Sequence, residues 1–91
     1  MSNARKPDPL DIHAGKRLRL MRQLAGLSLS EVGTACNLAY QQIQKYETGV
    51  DRMAASRLYQ LSRIFKVPVA DFFKDLPAEL RGPERPRGLR K

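Results

Sequence analysis

Ser28-Leu29-Ser30-Glu31-Val32-Gly33-Thr34-Ala35-Cys36-Asn37-Leu38-Ala39-Tyr40-Gln41-Gln42-Ile43-Gln44-Lys45-Tyr46-Glu47-Thr48-Gly49 holds two short helices and the turn between them. Ser28 followed three residues later by Glu31 is a capping box, in which each side chain satisfies an orphan N–H at the helix start. The helix it opens runs from about Leu29 to Cys36, with Val32, Ala35 and Cys36 on its apolar side. Gly33 lets another helix approach closely. Asn37 tolerates the left-handed backbone needed to leave a helix. A second helix follows from about Tyr40 to Thr48, and Gly49 stops it.

At about 100° per residue, the second helix divides into two faces. Ile43, Tyr46, Glu47 and Val50 fall together and are expected to face inward, while Tyr40, Gln41, Gln44, Lys45 and Thr48 fall on the other side. Two short helices joined by a tight turn form the helix-turn-helix layout, whose second helix enters the major groove of DNA. Each base pair presents a distinct donor and acceptor pattern there. A glutamine amide matches adenine N6 and N7, and a lysine donates to guanine or to a phosphate. Tyr40, Gln41, Gln44 and Lys45 are therefore the candidate base contacts.

Outward from this pair, the rest of the chain also reads as helices. Residues 1–10 carry Pro7 and Pro9 and read as a loose arm. Asp11 is the expected cap of a first helix bearing Ile12, Leu18, Met21, Leu24 and Ala25 at helical spacing, and Gly26 ends it. A fourth helix is expected from Ala54 or Ala55, with Leu58, Leu61, Ile64 and Phe65 at spacings of three and four, closed by Pro68. A fifth runs from about Val69 to Lys74 and carries Phe72 and Phe73. Residues 76–91 mix proline, glycine and arginine with too little apolar content to repay ordering. No strand pattern and no internal repeat is found. The expected architecture is all-α: a compact five-helix bundle over residues 11–75.

The chain has 91 residues and a net charge of +8. That size suits one domain with a modest core, and the charge favours an anionic partner. Half the excess lies in residues 81–91, where Arg81, Arg85, Arg87, Arg90 and Lys91 face only Glu84. One cysteine, Cys36, excludes an internal disulfide and any Cys-rich metal site. It reads as a small core residue and fits a reducing cytoplasm. No stretch is apolar enough to cross a bilayer and no secretion signal opens the chain. His13 has no metal-ligand neighbours. Without a cluster of His, Cys and carboxylates or a Gly-rich phosphate loop, an enzyme or metalloprotein is not expected, nor is a cofactor, a small-molecule ligand or a membrane.

The run Gly15-Lys16-Arg17-Leu18-Arg19…Arg22…Gly26-Leu27-Ser28-Leu29-Ser30-Glu31-Val32-Gly33…Asn37-Leu38-Ala39…Ile43-Gln44-Lys45-Tyr46-Glu47-Thr48-Gly49 resembles the phage-repressor (Xre/Cro-like) helix-turn-helix family. Leu58…Leu61…Ile64-Phe65-Lys66-Val67-Pro68-Val69…Phe72-Phe73 is similar to the closing part of the same lambda-repressor-like domain. The resemblance covers about Ile12 to Phe73. It implies a homodimer on a palindromic DNA operator, regulating transcription, most simply by repression. It also implies that Arg22 pairs with Glu47, in agreement with the need of an inward-facing glutamate for a partner.

Further assignments complete the expected site. Arg17, Ser28, Ser30, Gln42, Thr48 and Arg52 are the candidate phosphate contacts; Arg19 reads as surface first and as a phosphate contact second. Phe72 and Phe73 are the candidate dimer contacts, one ring in the core and one toward the partner. Three positions depart from the family pattern. Ala39 stands where a Ser or Thr cap is usual, a loss of about 0.5–2 kcal/mol. Leu29 stands where a DNA-contacting Gln is common. Gly33 replaces an Ala, weakening its helix by roughly 1 kcal/mol. An alternative reading is an antitoxin-type protein whose tail or arm also binds a toxin; residues 76–91 show little amphipathic period to support it. With no length left for a sensing domain, any signal is expected to act through abundance, a partner protein or competition at the operator.

Overall fold

The computed structural model describes residues 6–82. Four α-helices follow one another: α1 (Pro9–Leu24), α2 (Leu29–Cys36), α3 (Tyr40–Thr48) and α4 (Ala55–Phe65). Two 3₁₀ turns, Val69–Phe73 and Ala78–Leu80, come after them. Among the described residues there is no strand, no helix long and apolar enough to cross a membrane, and no group of His, Cys, Asp or Glu placed to hold a metal.

The all-helical class agrees with the expectation, but the helix count does not. The expected fifth helix is a 3₁₀ turn, closed by the Asp71 N–H donating to the Pro68 carbonyl at 2.9 Å. The segment needs only to drop Phe72 into the core, where it is wholly buried. It then breaks off, since Lys74 has extended backbone and Asp75 is left-handed at φ 62°. A fully formed helix would add buried surface only on a second turn, and that turn has no core left to cover. The Arg-rich stretch 83–91 lies outside the described residues, as does the first half of the expected arm.

α1 begins earlier than expected. Asp8, not Asp11, is the cap: its carboxylate accepts the Leu10 N–H at 2.7 Å, with Pro9 at the first helical position. Proline fits there because its missing N–H would have had no intrahelical acceptor. Asp11 falls in the first turn, where its negative charge still favours the helix N-terminus.

Leu18, Val32, Ile43, Leu61 and Phe72 are fully buried, one or more from each of the four helices and the first 3₁₀ turn. Ala14, Met21, Cys36, Tyr46 and Met53 complete the core. Four residues expected inside are not. Leu24 is 80% exposed and Ala25 is exposed, because they lie at the C-terminal end of α1, beyond the last turn that faces the core. Val50 is 49% exposed, because Gly49 at φ 79° breaks the helical phase before it, and Met53 enters the core instead. Ala35 is exposed, since Val32, Gly33 and Cys36 fill the narrow stripe an eight-residue helix can bury. His13, assigned no role, has its Nε2 2.7 Å from the Lys74 carbonyl and ties α1 to the end of the 3₁₀ turn.

Two glycines set close approaches. At Gly33 a Cβ would lie 2.6 Å from the Leu38 carbonyl oxygen and 3.4 Å from the Tyr40 nitrogen, so the returning turn and the start of α3 both come near. At Gly15 a Cβ would lie 2.7 Å from the Glu47 carbonyl oxygen and closer still to that of Tyr46. Both obstacles at Gly15 are α3 backbone, which cannot rotate away. Gly15→Ala gains up to about 1 kcal/mol of helix propensity but must force α1 from α3. Overpacking of this kind costs about 1–3 kcal/mol or more, so a net loss of stability is expected in thermal melts. An unchanged or raised melting temperature would show that α1 and α3 separate freely.

Candidate nucleic-acid interface

The turn between α2 and α3 forms as its residues dictate. The Ser28 hydroxyl accepts the Glu31 N–H at 3.0 Å, and the Glu31 carboxylate accepts the Ser28 N–H at 2.7 Å. Asn37 leaves α2 with a left-handed φ of 58°. Leu38 is half-buried and its N–H returns to the Gly33 carbonyl at 2.8 Å. Ala39 caps α3 without a side-chain hydrogen bond. Packing against α1 and α2 compensates for the missing cap, because α3 buries Ile43, Tyr46 and Glu47 on one side.

Tyr40, Gln41, Gln44, Lys45 and Thr48 are all exposed on the opposite side. Tyr40 and Gln41 stand at the α3 N-terminus, the end that reaches base edges when such a helix enters a groove. Thr48 turns its hydroxyl back onto the Gln44 and Lys45 carbonyls, both at 3.2 Å, leaving its oxygen to accept.

Beside this apolar packing, one ion pair ties α3 to α1. Arg22 donates from Nε to Glu47 Oε2 at 2.6 Å and from Nη2 to Oε1 at 3.1 Å, a two-pronged contact. Its third donor goes to the Leu27 carbonyl at 3.0 Å. The two side chains are only 14% and 6% exposed. The hydrogen bond to Glu47 is the main reason the Arg22 pKa is raised above its ordinary value. One guanidinium thus fixes α1, the entry to α2 and the C-terminal half of α3 relative to one another.

The expected phosphate contacts are scattered more widely. Ser28 is occupied as the cap, and Ser30 is exposed beside it. Gln42 is half-buried and donates to Asp51 Oδ2 at 2.9 Å, tying α3 to the following loop. Arg52 is exposed and pairs with Asp11 at 2.9 Å. Arg17 donates from Nε to the Asp71 carbonyl at 2.8 Å and lines an apolar groove with Leu20, Leu24 and Phe65, on the flank of α1 away from α3. Phe72, expected at a dimer contact, has no exposed surface and is core; Phe73 is 37% exposed.

Arg19, two positions from Arg17, lies about 200° around α1 from it and so faces the other way. It lines a cleft of about 180 Å³ with Leu29, Gln44 and Thr48, over the Arg22–Glu47 pair. Periodicity shows that Arg17 and Arg19 face apart, but not which of them borders α3.

Residues 18–72 match the helix-turn-helix family model. A regulator of Sinorhizobium medicae described as an uncharacterized HTH-type transcriptional regulator is 47% identical over 79 residues, covering 87% of this chain and 57% of its own length. An uncharacterized transcriptional regulator in the ATPase CF(0) region of Rhodospirillum rubrum is 39% identical over 88 residues, 97% of this chain and 79% of that one. Among solved structures, the DNA-binding domain of BldD superposes with a TM-score of 0.63 at 28% identity, over 69% of this chain and 92% of that one. The clp gene regulator ClgR of C. glutamicum superposes at 0.66 over 75% and 87%; at 22% identity it speaks for the fold alone.

The fold and the exposed α3 face thus define a helix-turn-helix protein. The chain belongs to the Xre-like helix-turn-helix family, a family of DNA-binding transcriptional regulators and not of enzymes. It spans a little over half the length of the first relatives it matches, 57% in the case above.

Proposed function

We propose that this chain is the DNA-reading unit of a sequence-specific transcriptional regulator that acts as a homodimer on a palindromic operator and represses by occupying it. The observation that carries the reading is the exposed row Tyr40, Gln41, Gln44, Lys45 and Thr48 on a helix whose other side is locked to α1 through Glu47. The names of its relatives, which describe transcriptional regulators, and its likeness to a DNA-binding domain point the same way.

In this reading α3 lies in the major groove. Gln41 and Gln44 each offer a donor and an acceptor to adenine, Lys45 donates to guanine or phosphate, and the Tyr40 ring covers a thymine methyl or bonds a phosphate through its hydroxyl. Ser30, Thr48 and Arg52 flank it as phosphate contacts; Arg52 must exchange Asp11 for a phosphate when it binds. Phe73 is the ring left for a partner subunit. Two copies related by a two-fold axis then present their α3 helices to successive major grooves, about 34 Å apart.

Gln44→Ala is the direct test of the base contacts. It removes a two-pronged contact worth about 1–3 kcal/mol of discrimination, so preference at one base pair of each half-site falls about five- to 150-fold. Affinity for unrelated duplexes is expected to stay the same. Competition binding with single-base operator variants measures it. Equal losses on every duplex would show that Gln44 does not read bases.

A further inference from the structure

We infer that the outward face of α4 is a docking site for an acidic segment of a protein partner, with Tyr59 and Arg63 as its anchors. The inference goes beyond the DNA reading above and does not depend on it.

The face follows from the sequence of α4. Ser56, Tyr59, Gln60 and Arg63 fall within about 100° of one another around the helix, opposite Leu58, Leu61 and Phe65, which face the core. Tyr59 is 58% exposed, a large aromatic left in water. The Arg63 guanidinium lies over its ring, 6.0 Å from the centroid, and Nη1 donates to the Tyr59 hydroxyl at 3.4 Å. An arginine stacked in this way is held in place while its remaining N–H edge stays open to a carboxylate. Half-buried Gln60 and Ile64 complete a shallow depression lined by α4 alone, and Ile64 adds apolar surface to it.

Charge chooses the occupant. From Arg52 to Ala70 the sequence has no Asp or Glu, while Arg57, Arg63 and Lys66 lie on α4 or at its end. Neither Arg57 nor Arg63 has an ion-pair partner among the described residues. A second copy of the chain fits poorly, because a two-fold axis would lay this patch on itself and bring arginine against arginine. The patch is also separate from the reading face. α3 packs against α1 and α2, α4 against α2 and the first 3₁₀ turn, and no α3 residue borders the depression. A phosphate backbone needs donors only, whereas an exposed tyrosine beside arginine is the composition of a protein-interface anchor. A peptide segment with carboxylates around an apolar or aromatic side chain satisfies both features. Its carboxylates pair with Arg63 and Arg57, and its apolar group packs on Tyr59 and Ile64.

The test is selection of peptides from a random display library by the full chain at physiological salt, followed by affinity measurement with the enriched peptides as free synthetic molecules. Enriched peptides are expected to carry Asp or Glu around a Leu, Phe, Tyr or Trp. Tyr59→Ala and Arg63→Ala should each weaken them about tenfold or more, as loss of an interface anchor does. Tyr59→Phe keeps the ring and most of the affinity, and Lys45→Ala, on the α3 face, changes nothing. Melting temperatures confirm that each variant folds. No enriched peptide, or enriched peptides without carboxylates, overturns the inference. So does an equal loss in Lys45→Ala, which would mean general attraction to a basic chain. Displacement of the peptide by random-sequence duplex would make the patch part of the DNA surface and overturn it too. Self-association that depends on Tyr59, read by sedimentation, would give the face to a second copy with the same consequence. Peptide binding is measured without DNA, so its outcome stands whether or not α3 reads sequence.

Discussion

Glu47→Ala is expected to lower stability by about 3–5 kcal/mol, the cost of leaving one member of a buried ion pair uncompensated. Arg22 is 14% exposed and would keep its charge without its carboxylate. Since a domain of this size loses roughly 4–8 °C per kcal/mol, the melting temperature falls by about 12 °C or more. Where total stability is near the low end of the usual range of about 5–15 kcal/mol, the fold is lost outright at 25 °C. The cost is not the value of the pair itself. Replacing both partners with apolar residues of similar volume, Arg22→Met with Glu47→Leu, is expected to recover much of the loss. A Glu47→Ala protein with an unchanged melting temperature would mean that α3 is held by its apolar side alone. DNA binding should suffer further in any variant that folds, because the pair sets the angle at which α3 leaves α1.

The second large effect separates two adjacent rings. Phe72 is fully buried while Phe73 is 37% exposed. Phe72→Ala removes a core ring at a cost of about 3–5 kcal/mol, transfer and cavity terms together. The 3₁₀ turn has few other anchors: the Arg17 guanidinium on the Asp71 carbonyl and His13 on that of Lys74. Loss of Phe72 therefore frees the whole segment. Phe73→Ala should leave the stability of the monomer within about 0.5 kcal/mol of the parent, as surface substitutions do. Its expected effect is on self-association, read by sedimentation at rising concentration. Equal destabilisation by both substitutions would contradict this division.

Much of this was legible in the residues. The bounds of α2 and α3 follow from Ser28, Glu31, Asn37 and Gly49, whose preferences act locally and need no tertiary help. Arg22 opposite Glu47 was approached from the demand of an inward carboxylate for a cation. What could not be read depends on the third dimension. Asp8 and Asp11 are both sound caps, and the proline between them decides only once the helix is seen to begin there. Val50 was misplaced because helical phase was carried past Gly49. Asp11 with Arg52 and Gln42 with Asp51 are surface pairs that no spacing announces, and they alter what those two candidate phosphate contacts are free to do. The choice between Arg17 and Arg19 turned on where α3 packs against α1, which is a property of the assembled bundle.

If the exposed face of α3 reads DNA sequence, the preference must show in the molecules the protein retains. Selection of bound molecules from a random duplex library by the full chain tests it most directly. The expected result is an enriched two-fold symmetric motif whose half-site centres lie about 10–10.5 base pairs apart, or a multiple of that. A library that emerges with no enriched motif, bound with an affinity that simply falls as salt rises, would contradict it.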